Sequence, residues 1–262
     1  ISPSAFRAKA REQISRYPTA FLRNGTVTSI TRSGNHLFLL KVSSGENYMS
    51  RKVILATGIE DILPNTPGIA EAWGSGMYWC IWCDSWEHRD QPLGIITRLN
   101  PYMVSTVLSV IRLNRDIVIF VNGTDTPATR ELLNSVTPGW HAQLTKLGVK
   151  LENRTITAIE RLQDGNVVKN NELWHEYDIF QVHLGDGTKI QRGAFFLNVP
   201  SRQRSYLGTE IGVKLYDERI CVDPDTMRAA PGVWGVGDAN DDRTTNVPHA
   251  LYTGKRAAIH AH

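Results

Sequence analysis

From Leu93 to Glu152 the chain alternates strand-like and helix-like periodicity, and no other feature narrows its fold so far. Leu93 to Thr97 reads as a short buried strand, Tyr102 to Leu113 has helical spacing, and Asp116 to Val121 is a second strand ending in Asn122-Gly123. Pro127 to Val136 and Trp140 to Leu147 read as helices, and Val149 to Glu152 as a strand. Strand, helix, strand, helix, strand is a doubly wound α/β unit built on parallel strands.

The flanking regions follow a period of two. Thr26 to Thr31, His36 to Ser43 and Tyr48 to Ala56 are strand-like, joined by Ser33-Gly34-Asn35 and Ser44-Gly45-Glu46, which makes a β-meander. Thr155 to Leu162 and Tyr177 to His183 look like hairpin strands, and Gly185-Asp186-Gly187 turns the second into Lys189 to Leu197. Ser2-Pro3 reads as a cap and first turn for a helix carrying Phe6, Ala10 and Ile14, stopped by Pro18. Strands near Arg219 to Val222 and Val233 to Val236 precede a last helix that begins near Pro248. The expected domains are residues 1–76 and 203–262 as two parts of one, with residues 77–202 inserted.

Composition removes several function classes. A formal net charge of +3 over 262 residues is too mild to point to nucleic acid or an anionic membrane. No apolar run reaches the roughly 18 residues that span a bilayer. Three cysteines exclude a disulfide-stapled secreted scaffold.

Cys80-Ile81-Trp82-Cys83 is the strongest chemical signal. Thiols three apart on a helical turn share a face and can close a small disulfide. The pair also suits inert packing, or half a zinc site, but Cys221 and the scattered histidines offer no partner spacing, so no metal is expected. Asp84 follows directly and can move a proton, or can simply be a first-turn charge. Trp79, Trp82 and Trp86 read as core aromatics rather than as an apolar substrate wall. His88 and His249 are candidates for base or ligand work, with satisfied structural histidines the commoner case.

Two strand ends suit a ligand that touches backbone: Val53-Ile54-Leu55-Ala56-Thr57-Gly58 and Gly235-Val236-Gly237-Asp238. The strand at Leu93 runs instead into Arg98-Leu99-Asn100-Pro101-Tyr102. No glycine there lets a pyrophosphate approach a helix N-terminus, so NAD(P)H binding is doubtful.

Ala56-Thr57-Gly58, Cys80-Ile81-Trp82-Cys83-Asp84 and Gly235-Val236-Gly237-Asp238, with the helix after Val247-Pro248, resemble the thioredoxin-reductase-like FAD-dependent disulfide oxidoreductases over essentially the whole chain. The lost nucleotide glycines and Trp86-Glu87-His88-Arg89-Asp90 are similar to the fungal gliotoxin- and holomycin-type dithiol oxidases; that branch often has His where this chain has Asp84. The resemblance implies two Rossmann-like, three-layer ββα domains, the FAD-type one discontinuous and lacking its amino-terminal glycine-rich motif. The chain is therefore expected to be a fragment or a truncated relative.

It further implies that Cys80, the more exposed thiol, exchanges with a small-molecule dithiol or disulfide. Cys83 passes electrons to FAD and Asp84 handles protons. Thr57, Gly58, Gly237, Asp238, Val247, Pro248, His249 and Ala250 would line FAD. Oxygen is the expected acceptor, a homodimer the expected assembly and the cytoplasm the expected location. An NADPH-dependent reductase of the thioredoxin type and a flavin-free pseudoenzyme or binding protein are the competing expectations.

Overall fold

The computed structural model describes residues 3–34 and 36–262; Ser2 and Asn35, read above as a cap and a turn residue, lie outside the described residues. The architecture is α/β. Two compact units form, one from Ile1–Glu60 with Ser201–His262 and one from Asp61–Pro200.

The second unit is built on a five-stranded parallel sheet. Its order is Met77–Tyr78, Ala194–Leu197, Leu93–Ile96, Ile117–Phe120 and Lys150–Glu152. Alternate side chains divide between two layers, as the strand period of two requires. Leu93, Ile95, Ile117 and Ile119 pack with Met103, Val107, Leu133 and Trp140 from the helices Pro101–Val110, Pro127–Val136 and Trp140–Lys146. Val118, Phe120, Phe195 and Leu197 pack with Ile159, Phe180 and Val182. These last three belong to an antiparallel sheet of Ile156–Gln163, Ile179–Leu184 and Lys189–Arg192. Gly94 faces that second layer, where a Cβ would lie 2.1 Å from the Phe195 ring, so no larger residue fits beside this aromatic.

Two expectations are corrected here. Residues 61–76 belong to this unit and not to the first segment, because Ile69 and Ala72 bury with Phe180 and Phe195 and the Ile159 amide donates to the Pro67 carbonyl at 2.8 Å. The far boundary falls at Pro200, so residues 201 and 202 lie in the other unit. The run Lys189 to Leu197 also divides. The Gly193 amide donates to the Pro92 carbonyl at 2.7 Å, and beyond it Ala194–Leu197 leaves the hairpin for the parallel sheet.

The first unit holds the meander Val27–Ser33, Leu37–Val42 and Asn47–Ser50, all antiparallel. The expected third strand breaks after Ser50, whose hydroxyl accepts the Lys52 amide at 3.2 Å. Val53–Leu55 then pairs in parallel with Val233–Gly235, 180 residues away in sequence. Ile30, Phe38, Val53, Leu55, Ile211, Ile220 and Val233 form the core. The helix Val247–Ala261 is capped by Asn246, whose side chain accepts the His249 amide at 2.8 Å. Its buried Ala257 packs with Met227, Trp234 and Val236.

Candidate active site

The strand Met77–Tyr78 delivers the chain directly to the cysteines. Cys80 and Cys83 form a disulfide with a Cα–Cα separation of 5.3 Å, inside the range that an unforced bridge spans. The short helix Ile81–Asp84 starts at Cys80, whose carbonyl accepts the amides of Cys83 at 3.2 Å and Asp84 at 3.3 Å. Cys83 is exposed and Cys80 half-buried, the reverse of the order expected from the resemblance.

Asp84 is half-buried behind the pair. Burial, and then the like charges of Glu87 and Glu176, push its carboxyl up to about 6. It therefore exchanges protons near neutrality, as a group serving thiol chemistry requires. Glu176 lies far along the chain, and no spacing in the sequence pointed to it.

The three tryptophans are not core. Trp79, Trp82 and Trp86 are all exposed, Trp82 by 81%. Hydrophobic burial does not hold them, so the reading as core aromatics is corrected. Arg89 fixes the outer one: its guanidinium stacks 4.1 Å from the Trp86 ring and donates to the Trp86 carbonyl at 2.6 Å and the Leu173 carbonyl at 2.5 Å. The segment around the disulfide thus carries three solvent-exposed indoles, of which Arg89 holds Trp86.

The other expected site residues gather in the first unit. Pairing of Gly235 with Leu55 sets two strand ends side by side, and the Val236 amide donates to the Leu55 carbonyl at 3.0 Å. Beyond them lie Thr57-Gly58 and Gly237-Asp238. The Gly237 amide donates to Thr253 Oγ1 at 2.9 Å, which holds this turn against the helix carrying Val247, Pro248, His249 and Ala250. His249 is buried, with Nδ1 3.2 Å from an Asp242 carboxyl oxygen. Its Nε2 and the Thr57 hydroxyl are both buried without hydrogen-bond partners. Gly58 adopts φ +68, and no heavy atom stands within 4 Å of where a Cβ would be. Free Cys221 is half-buried, its thiol pushed up by burial and by Asp241.

No helix among the described residues is long and apolar enough to cross a membrane. The family model for pyridine nucleotide-disulphide oxidoreductases matches residues 3–254. A protein of Arthroderma benhamiae described as a probable thioredoxin reductase is 42% identical over 272 residues, spanning 100% of this chain and 67% of that one. Thioredoxin reductase tcpT of Claviceps purpurea is 25% identical over 97% of this chain and 75% of its own length. Among solved structures, an oxidoreductase from Agrobacterium tumefaciens is similar with a TM-score of 0.80 and 26% identity, over 100% of this chain and 80% of that one. A match of that extent, on a fold that presents a cysteine pair at the edge of a parallel sheet, means that the chain belongs to the pyridine nucleotide-disulphide oxidoreductase family, FAD-dependent enzymes with thioredoxin-reductase-like members.

Proposed function

We propose that this protein oxidises a small dithiol to a disulfide through Cys80 and Cys83, with FAD as the redox cofactor and oxygen as the final acceptor. The observation that carries the choice is the turn after Leu93–Ile96. Asn100 Oδ1 accepts the Met103 amide at 3.2 Å, and its Nδ2 donates to the Arg98 carbonyl at 2.9 Å. The Leu99 amide donates to Thr124 Oγ1 at 2.9 Å, and Pro101 has no N–H to offer. A dinucleotide pyrophosphate needs free amides and glycine clearance at such a turn. Here the protein's own side chains take those positions, so the residues present do not fit a pyridine nucleotide.

The residues for FAD do fit. The orphaned Thr57 hydroxyl and His249 Nε2 are polar valences awaiting a ligand, and the open left-handed turn at Gly58 leaves room beside them. Thr57, Gly58, Gly237, Asp238 and the residues Val247, Pro248, His249 and Ala250 would hold it. When bound, FAD supplies the two-electron acceptor that re-oxidises the cysteine pair and hands those electrons to oxygen.

The chain's own part is thiol exchange. A substrate thiolate attacks the exposed disulfide and displaces one cysteine sulfur, which takes a proton. The second substrate thiolate then closes the product disulfide and displaces the other cysteine. Two protons leave the substrate and two end on Cys80 and Cys83. Asp84 carries them, and the exposed indoles of Trp79, Trp82 and Trp86 favour an apolar substrate. A homodimer in the cytoplasm is the proposed setting.

The relatives described as thioredoxin reductases support a second reading, an NADPH-dependent disulfide reductase. Oxygen uptake with a small dithiol or with NADPH separates the two. Uptake and disulfide product with the dithiol alone support the oxidase. Turnover that requires NADPH overturns it.

A further inference from the structure

Near Asp84 lies a partly buried group of ionisable side chains, with His88 and Asp178 at its buried centre, to which the exchange steps above give no role. The Tyr78 hydroxyl is 3.3 Å from His88 Nε2, and the two rings lie 5.3 Å apart. His88 is only 1% exposed. Its Nε2 is 3.9 Å from a Glu176 carboxyl oxygen. A ring nitrogen of His88 and carboxyl oxygens of Glu176 and Asp178 all fall within 4.8 Å of one another. The Glu176 amide donates to the Glu87 carbonyl at 2.9 Å, which ties this strand to the segment following the cysteines. Glu87 itself stands three residues beyond Asp84, in the turn that follows the helix Ile81–Asp84.

Charge does not balance in this group. Asp84, Glu87, Glu176 and Asp178 supply four carboxyls. Arg161 meets one oxygen of Asp178 at 2.7 Å, and that oxygen also accepts the Gly165 amide at 2.9 Å. Lys169 acts on Glu176 from the strand Lys169–Asn170, but Asp164 opposes it. The other Asp178 oxygen, one Glu87 oxygen and His88 Nδ1 are buried with no hydrogen-bond partner. Close carboxylates oppose one another's ionisation. Consistent with this, burial and neighbouring carboxylates push Glu176 up, and burial pushes the His88 imidazole below its ordinary value.

We propose that His88 and Glu176 are positioning residues for proton transfer at Cys80–Cys83: with Tyr78, Glu87 and Asp178 they hold a shared proton behind Asp84 and resupply it from the protein interior. When a displaced cysteine sulfur takes a proton from Asp84, the carboxylate left behind regains one from this group. Protons released by the substrate thiols restore the group, which ends the cycle unchanged. The inference rests on the redox role of the cysteine pair and deepens it.

The test is reduction of the Cys80–Cys83 disulfide by dithiothreitol under nitrogen from pH 5 to 8, read as thiols alkylated. Rates are divided by the reductant's own thiolate fraction. The wild-type profile bends near pH 6, where Asp84 titrates. E176Q removes a like charge and moves the bend down by about half a pH unit or more. E176D keeps the carboxyl and restores the bend. H88Q slows reduction severalfold above the bend. E160Q, a carboxyl on the remote strand Ile156–Gln163 beside His183, leaves the profile unchanged. Profiles of E176Q and H88Q that superimpose on wild type in folded protein overturn the inference. A bend displaced equally in E176D and E176Q also overturns it, in favour of a packing role. The assay uses no oxygen, so a failure of the oxidase reading remains distinguishable from a failure here.

Discussion

Two parallel strands in this protein end where a nucleotide could meet the backbone, and they end differently. After Val53–Leu55, the Thr57 hydroxyl is buried without a partner and Gly58 opens into free space. After Leu93–Ile96, Asn100 and Thr124 take up the Met103 and Leu99 amides, and proline removes a third donor. A buried polar group with no partner costs on the order of 1–3 kcal/mol, and chains retain that cost where a ligand removes it. The first strand end is the proposed cofactor site. The second uses the same valences for its own stability, and the proposed choice of a flavin-dependent oxidase over a nicotinamide-dependent reductase rests on that difference.

The contrast can be broken at its chemical centre first. C80S and C83S should each lower dithiol oxidation by about 10³-fold or more, while flavin absorbance stays intact, because neither strand end changes. Trapping with a thiol probe in each variant reports which sulfur meets substrate; exposure favours Cys83. Loss of flavin in either variant would contradict the separation.

D84N should lower the rate by about 10²-fold and abolish the bend near pH 6. The same shift predicts a stability effect. Asp84 has a folded pKa of about 6 against an ordinary value of 3.8, so its stabilising contribution is complete below pH 4 and lost as pH rises through 6. D84N should therefore unfold at a higher temperature than wild type at pH 8 and show little advantage at pH 4, measured by thermal melts.

Smaller effects sharpen the comparison at the turns themselves. Gly58 and Gly123 both adopt left-handed backbone, φ +68 and φ +82, with open space around them. Valine at either position should cost about 1–2 kcal/mol in denaturant unfolding. Only G58V should also lower flavin occupancy. The smallest effect belongs to N100A, which should cost about 1 kcal/mol through loss of the cap and leave the protein as unresponsive to NADPH as before. NADPH oxidation by N100A would show that the side chain alone had blocked the site.

Much of this was legible in the sequence where the determinants are local. Apolar runs with period two and period 3.6 located the strands and helices between Leu93 and Glu152, and the cysteine spacing marked the disulfide. Long-range pairing was not legible. Nothing near Ser50 announces that Val53–Leu55 will join Val233–Gly235, or near Gly193 that Ala194–Leu197 will enter the parallel sheet. The tryptophans misled because aromatic composition alone does not distinguish a core from a surface that receives an apolar ligand. Tyr78, His88, Glu176 and Asp178 come from three separated stretches, so only the fold reveals that they meet.

The most direct measurement is the visible spectrum of the flavin-loaded protein under nitrogen, titrated first with NADPH and, separately, with a small dithiol, then opened to air. The predicted result is no change with NADPH, bleaching with the dithiol and full recovery in oxygen. Bleaching by NADPH, with the dithiol inert, would contradict it and restore the reductase.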